Sequence, residues 1–422
     1  MAQKECKVDQ PRTLLLAVEK NFTVKIGLPP MNPKDDFNGR AAVLGKINNV
    51  SHIACSPDGE LFCICGGDLY RGPMPSNIDV NWFSVARRVG KAVWNRIVLM
   101  FFHPKGDFYV TTNDGEFYKG PPPDNEHVPW IYDQAKRIGH GGWKQYEALF
   151  FSPEGILYAV GNDQLFKAPP PTEESVQWDS SCTCIGGSDW SRLTHFISFS
   201  PDGKLWAVDK WNGHIFRGNP PTQEDPNYQA QAQDLGSNYN VYRFLAFTKD
   251  ATIQKIVNFQ FLVDQAQILS QAPEVLQEKI YDNRKSSSTL RHTFTFNKTI
   301  KESSSFSHEH GFTFQAGVEM SFEGGIPVIA EISGKVTVNM STTHKWNFTK
   351  TNETQISFSS STNIVLEPYK AIRMVASVIK GEINVPYKAK ARTLFGAEVE
   401  VRGIWRGVSH YHLIVTQEDY NK

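Results

Sequence analysis

The charged and apolar side chains of residues 311–340, GFTFQAGVEMSFEGGIPVIAEISGKVTVNM, alternate in a way that could let a chain cross lipid while holding water on one side. Phe312, Phe314, Val318, Met320 and Phe322 share one face of an extended segment, with Glu319 and Glu323 opposite. Val328, Ile332, Val336 and Val338 share a face of the next segment, with Glu331 and Lys335 opposite, and Ile326 and Pro327 belong to an apolar tip, Gly324-Gly325-Ile326-Pro327. Strand side chains alternate with a period of two, so the stretch reads as a hairpin with one oily and one wet face. Each arm approaches the roughly 9–11 residues that a tilted strand needs to span a bilayer. A half-buried sheet on a protein core alternates in the same way, so the pattern alone leaves both readings open. In the membrane reading the apolar residues face lipid and Glu319, Glu323, Glu331 and Lys335 line a lumen that favours cations.

Other reactive residues form no catalytic set. His308-Glu309-His310 precedes the hairpin and could sense acidification near pH 6, or be a polar cluster without such a role. Cys63-Ile64-Cys65 and Cys182-Thr183-Cys184 are C-x-C pairs without a second Cys or His pair at zinc spacing, so no metal and no cofactor is expected. Ser-Pro-Asp-Gly at 200–203 is one residue short of a sialidase Asp-box, and no acids, tyrosine and arginines are arranged for glycoside cleavage, so no enzyme is expected. Formal net charge is zero over 422 residues, without the basic stripe of a nucleic-acid binder. The first residues, MAQKECKVDQPRT, lack a secretory apolar run, and no segment reaches the ~18 apolar residues of a transmembrane helix. The expectation is a protein made soluble, released by a non-classical route, that meets a target membrane later.

The elements that must position these groups follow from a repeat. SPDG at 56–59, HPKG at 103–106, SPEG at 152–155 and SPDG at 200–203 place Pro57, Pro104, Pro153 and Pro201 at steps of 47, 49 and 48 residues. TKDA at 248–251 is a fifth, weaker copy. Proline runs follow the first four copies, and Phe37, Trp82, Trp130, Trp178 and Tyr228 each open a unit. A period of roughly 40–50 residues with about four strands per unit is the mark of a propeller. The fifth copy lacks its last strands, and Leu14 to Pro30 matches the missing piece, so the N-terminus should close a ring of five.

Residues 12–250 resemble the tachylectin family, five-bladed lectins for N-acetylated amino sugars such as N-acetylglucosamine and N-acetylgalactosamine. The fullest copy runs from Trp130 to Pro171 with IGHGGW, LFFSPEG and LYAV. The resemblance implies one shallow sugar site per blade junction, lined by a glycine-aromatic loop. Carried over residue by residue, these loops are Gly141, Gly142 and Trp143, then Gly187, Asp189 and Trp190, with Trp94 and Tyr239 as variants. Each aromatic could equally be a blade-packing residue.

From Ile253 the repeat stops and polar, Ser/Thr-rich alternating segments flank the hairpin. DQAQILSQAPEVLQEK, residues 264–279, reads as a short helix or turn broken at Pro273, and GAEVEVRGIWRGVSHYHLIVTQ as a closing strand pair. Residues 252–422 resemble the aerolysin-like pore-forming module, close to natterin-like proteins, through KIVNFQF, PEVLQEKIYDN, GGIP, VLEPYKAIRM and INVPY in that order. The expected fold is all-β: a five-bladed β-propeller over 1–250, then an elongated aerolysin-like sheet module over 251–422 with its insertion hairpin at 311–340. The function expected is a glycan-targeted β-barrel pore-former for defence or attack. Its partners would be cell-surface glycans, a lipid bilayer and copies of itself, about seven or eight by family resemblance. The alternative is a multivalent lectin that agglutinates without piercing.

Overall fold

The computed structural model describes residues 12–75, 81–175, 177–308, 312–315, 317–322, 325–339 and 344–421. Five four-stranded antiparallel sheets repeat the same order. In the second blade, for instance, Ile97–Phe102 is innermost, followed by Phe108–Thr112, Phe117–Gly120 and Lys136–Gly139. The last blade joins Tyr242–Lys249 to the N-terminal strands Thr13–Glu19, Thr23–Gly27 and Ala42–Lys46, so the first strand is paired on both sides. The inner strands and the turns after them surround an axial cavity of about 510 Å³ lined by Phe101, Phe150, Phe151, Phe199 and Phe247 among others.

The blades are wedged apart by aromatic rings. Trp143 is 6% exposed and stacks 4.2 Å from Phe117 and 5.5 Å from Trp178. Its indole lies on Gly139, where an added Cβ would stand 1.8 Å from Nε1. Trp94 over Gly90 and Trp190 over Gly186 repeat the arrangement. Only glycine leaves room for a ring at that strand end.

Beyond Lys249 the chain enters one long sheet. Ala371–Thr393 and Glu398–Asp419 form its central hairpin, flanked by Thr252–Phe261 and Gln267–Asp282 on one side and by Leu290–His308 with Asn352–Leu366 on the other. Two sequence expectations are corrected here. The segment expected as helix or turn is the edge strand Gln267–Asp282, with Pro273 opposite Ile379. Proline is tolerated there because one side of an edge strand needs no donor, and register shifts at Ile268/Ser270 and Val275/Gln277 erase the alternation that would have marked it. The expected closing strand pair is instead a single 22-residue strand.

Propeller and sheet meet at a buried junction. Leu394 and Phe395, in the turn of the central hairpin, pack against Leu14, Ile26 and Leu44 of the last blade. Asp250 is fully buried and accepts a hydrogen bond from Thr393 Oγ1 at 2.5 Å, while its own N–H donates to Arg12 O at 2.8 Å. Arg12 Nη1 donates in turn to Phe395 O at 3.2 Å.

Two outcomes follow. Gly139→Ala should drive its methyl into Trp143 and cost about 1–3 kcal/mol, the usual penalty of overpacking, read as a lowered melting temperature of the purified chain. Burial raises the Asp250 carboxyl above its ordinary 3.8. Its contribution to stability is therefore complete below that value and lost as pH rises through the raised folded value. Asp250→Asn removes this loss, so its advantage in melting temperature over the wild type should grow from about pH 4 to pH 7; a constant difference would show that Asp250 does not ionise within the junction.

Candidate functional sites: glycan cradles and a stowed hairpin

The glycine-aromatic loops precede the inner strands, whereas the module leaves from the far end of the fifth inner strand, at Lys249. The loops and the module thus occupy opposite ends of the propeller, separated by an inner strand of about six residues or ~20 Å. In the third and fourth copies Gly142, Gly187 and Asp189 are exposed residues, Gly141 half so, and a Cβ at Gly141, Gly142 or Gly187 would meet nothing within 4 Å. Asp163 shapes the fourth-copy loop by accepting the N–H groups of Asp189 at 2.8 Å and Ser191 at 2.9 Å. Those backbone bonds hold its carboxyl below the usual range.

The aromatics of these loops are placed differently from the expectation that their faces cover a sugar. Trp94, Trp143, Trp190 and Tyr239 are 1%, 6%, 3% and 5% exposed. Their rings are committed to interblade stacking, Trp94 on Trp130, Trp143 on Trp178, Trp190 on Tyr228 and Tyr239 on Phe37. What the loops offer to solvent is the uncovered surface of Gly141, Gly142 and Gly187, while the N–H groups of Gly142 and Asp189 are donated within the loops to His140 O and Asp163.

A cradle lies in the last blade, where the connection from the fourth blade meets the segment between the N-terminal strands Thr23–Gly27 and Ala42–Lys46. It encloses about 340 Å³ between Asp35, Asp36, Asn38, Ser237, Asn238 and Tyr242, with Tyr239 and Glu19 in its wall. Asn238 adopts φ 74°, and Asp36 caps the short helix Phe37–Arg40 through Gly39 N–H at 2.9 Å. Backbone hydrogen bonding from Met31, aided by the Arg40 charge, holds Asp35 below the usual carboxylate range. Ionised and amide oxygens grouped this way accept hydroxyl and amide protons. Of this cradle the sequence reading picked out Tyr239; the acid pair in PKDDFNG was the available signal. Among the described residues no group of three or more His, Cys, Asp or Glu is placed to hold a metal, and Cys55, Cys63, Cys65, Cys182 and Cys184 are free thiols.

The second site is the segment from 312 to 348. Its described residues are folded back on the sheet, where they share an aromatic-rich cluster with Phe259, Phe261, Tyr387 and Trp405. Phe314 and Val318 are 6% and 4% exposed, Phe314 stacking on Phe348 at 5.7 Å. Phe312, Ile326, Val336 and Val338 pack at the cluster's margin. Thr313–Phe314 runs parallel to Thr252 and Ile253, beside the propeller, and Thr313 N–H donates to Ala251 O. The Ile329 N–H donates to Ser409 Oγ at 3.1 Å.

The arms differ from the sequence reading in two ways. Ile326–Ile329 pairs with Val336–Asn339, so the turn is at residues 330–335, closed by Ala330 N–H to Lys335 O, and not at Gly324-Gly325-Ile326-Pro327. Direct partners share a face, so Ile329 lies with Val336 and Pro327 with Val338, while Val328 lies opposite Thr337 on the other face. Ile332 stands wholly exposed in the turn. Glu319 is exposed and salt-bridged to Lys345, Glu331 pairs with His412 at 2.6 Å, and Lys335 is exposed. Glu323 lies outside the described residues, as do the side chains of Met320 and Phe322, whose backbones pair with Trp346 and His344. Between the pairs Ser304↔Asn352 and Glu319↔Asn347 the chain has fourteen residues on the ascending arm and four on the descending arm.

Two histidines brace this segment. His308 lies tilted against Phe314 with ring centroids 4.3 Å apart, and His344 meets Trp346 edge-on at 4.2 Å. Burial lowers both below the ordinary 6.5. Glu309 and His310 lie outside the described residues. A depressed folded value means that stability is complete above 6.5 and falls as pH drops from there toward the folded value. Amide protection over 326–339, taken relative to the intrinsic exchange rate at each pH, should therefore fall between about pH 7 and pH 5, and a His308→Phe/His344→Phe double variant should flatten that dependence. An unchanged pH profile in the double variant would exclude the two imidazoles as its source.

Comparison with known proteins agrees with the two halves of the fold. The Tachylectin family model matches residues 17–244, more than half of the chain. The model for Clostridium epsilon toxin ETX/Bacillus mosquitocidal toxin MTX2 matches residues 234–414. A search of curated proteins found no match. A solved structure described as "The de novo evolutionary emergence of a symmetrical protein is shaped by folding constraints" is 28% identical, covers 56% of this chain and 98% of its own, and superposes with a TM-score of 0.51. Lamprey immune protein is 14% identical over 75% of this chain and 87% of its own, with a TM-score of 0.32. An aerolysin-like protein of Bombina maxima is 10% identical over 38% and 96%, with a TM-score of 0.26. The chain belongs to the tachylectin family through its propeller, and an aerolysin-like module of the ETX/MTX2 family follows it.

Proposed function

We propose that this protein is a glycan-targeted pore-former. The propeller binds N-acetylated amino sugars on a cell surface, bound copies assemble into a ring, and each copy contributes residues 312–348 to a shared β-barrel. The observation that carries the reading is an amphipathic hairpin stored, apolar side inward, on an aromatic cluster. The alternation of apolar and polar residues along the first arm suits a barrel wall, and a closed barrel satisfies every backbone group within lipid. In such a wall Glu319 and Glu323 face the lumen together with Lys345, which shares the face of Glu319 through the pairing Ser321↔Lys345. That lysine offsets part of the acidic charge and makes any cation preference modest. Glu331 and Lys335 lie in the turn of the stowed form, and in one continuous extended ribbon they fall on the same odd-numbered face as Glu319. Several cradles on one rigid ring raise avidity for dense glycans even where each is weak.

The last-blade cradle and the exposed loops support sugar binding through polar contacts, with the family membership favouring acetamido sugars. Ionised Asp35 and neighbouring Asp36 and Asn38 suit hydroxyl donors.

The test is dye release from liposomes bearing glycoproteins with terminal N-acetylated amino sugars. Full-length protein should release dye, and free N-acetylglucosamine should block it. An Ile329→Cys/Ser409→Cys variant, whose bridge would tie the stowed arm to the sheet, should stay silent until a reductant is added. The two single-cysteine variants serve as controls for the free thiols already present. Sugar-dependent liposome binding without release, across pH and after mild proteolysis, would make the protein a multivalent lectin instead.

A further inference from the structure

Among the turns between the second and third strands of the blades, the fourth blade's is the longest. Six residues, 209–214, separate Leu205–Val208 from Ile215–Gly218, whereas two separate Leu157–Gly161 from Gln164–Ala168 in the third blade. The added length presents Trp211, which is 69% exposed, while the other nine tryptophans of the chain are 6% exposed or less. Exposed aromatics scattered on a surface need no explanation, but this one is held rigidly. The fully buried Asp209 accepts the backbone N–H of Trp211 at 2.9 Å and of Asn212 at 3.4 Å. Gly213 turns the loop at φ 72°, returning its N–H to Asp209 O at 2.9 Å. The Asn240 side-chain amide donates to the carbonyls of Lys210 and Trp211, each at 3.4 Å.

One side of the indole is backed by a cation. The Arg192 guanidinium sits 5.1 Å from the ring centroid and is fixed by Asp209 through Nε at 2.8 Å. That arrangement holds the ring in one orientation and leaves most of its surface in water. The loop also stands between two of the glycine-aromatic loops: Lys210 N–H donates to Arg192 O at 2.8 Å on one side, and Tyr239 N–H to Gly213 O at 2.9 Å on the other. Its polar companions are Lys210, Asn212 and Asn240. A pyranose has an apolar C–H face that lies on an aromatic ring and a rim of hydroxyls that such groups can bond.

We propose that Trp211 is the platform of a further saccharide subsite at the junction of the fourth and fifth blades. It stacks an inner pyranose of an oligosaccharide whose terminal amino sugar occupies a neighbouring cradle. The inference rests on the glycan-binding reading above and adds that the protein prefers an extended chain to a single sugar.

The experiment compares full-length wild type, Trp211→Ala and Trp211→Phe by calorimetric titration with N-acetylglucosamine and with its β1,4-linked trimer. Trp211→Ala should lose about tenfold in trimer affinity, ~1.4 kcal/mol, with monosaccharide affinity unchanged, and Trp211→Phe should retain most of it. The trimer should also shield the wild-type indole from acrylamide quenching. Equal trimer affinity in wild type and Trp211→Ala would overturn the subsite and leave the cradles standing. No sugar binding by the wild type would overturn both. Weaker binding of Trp211→Ala to sugar-free phosphatidylcholine vesicles, with trimer affinity unchanged, would overturn the subsite and assign the indole to a lipid surface.

Discussion

An apolar strand face has to be covered by something while it stands in water, and much of the module is arranged around that need. The cover is the aromatic cluster on the long sheet, where Phe259, Phe306, Phe348 and Tyr387 meet in edge and stacked contacts. Each fully buried apolar side chain of the stowed arm contributes about 1.5–3 kcal/mol relative to exposure. The cluster exists because two 22- and 23-residue strands run side by side without interruption and offer a broad platform. Gly381 keeps that platform low enough for Ile329, whose Cδ1 would lie 2.4 Å from any Cβ added there.

The propeller obeys the opposite logic. Its rings pack between blades, and its first strand is paired on both sides within the last sheet. The junction carries this rigidity into the module. Leu394 and Phe395 project from the central hairpin into the last blade, so the longest strands of the sheet are fixed to the lectin ring at one end. The stowed hairpin begins beside the same junction, at Thr313. A load on the propeller therefore reaches the hairpin's first hydrogen bonds through a few residues.

How much of this was legible depended on whether a pattern survived local irregularity. The five-fold repeat was plain because Ser-Pro-Asp-Gly turns, proline runs and opening aromatics recur in phase, and each has one structural task. Trp143 and Trp190 were visible as positions but not as orientations; a ring above a glycine can face solvent or a neighbouring blade, and only the three-dimensional spacing of Trp178 and Tyr228 decides. Gln267–Asp282 was hidden because two bulges broke its alternation. The hairpin turn was misplaced because Gly324-Gly325 is the stronger local turn signal, whereas tertiary packing of Ile329 selects the weaker Ser333-Gly334. Trp211 carries no periodic signal because its loop, 209–214, departs from the repeat, and a departure is where periodicity has least to say.

The unequal arms between Ser304↔Asn352 and Glu319↔Asn347 have a mechanical consequence. The ascending side holds ten residues of slack, and ten extended residues measure about 33 Å, close to the ~30 Å of a bilayer's hydrocarbon core. On the proposed pathway a rigid swing of the hairpin would leave that slack looped out in lipid, which its unpaired backbone forbids. A ribbon that kept the register of Ser304↔Asn352 throughout would instead have its apex at residue 328, next to the apolar Gly325-Ile326-Pro327 and away from the polar turn seen here. The stowed register then acts as a brake: its ladder must come apart before the new one can close, so that release would be slow to start and hard to reverse.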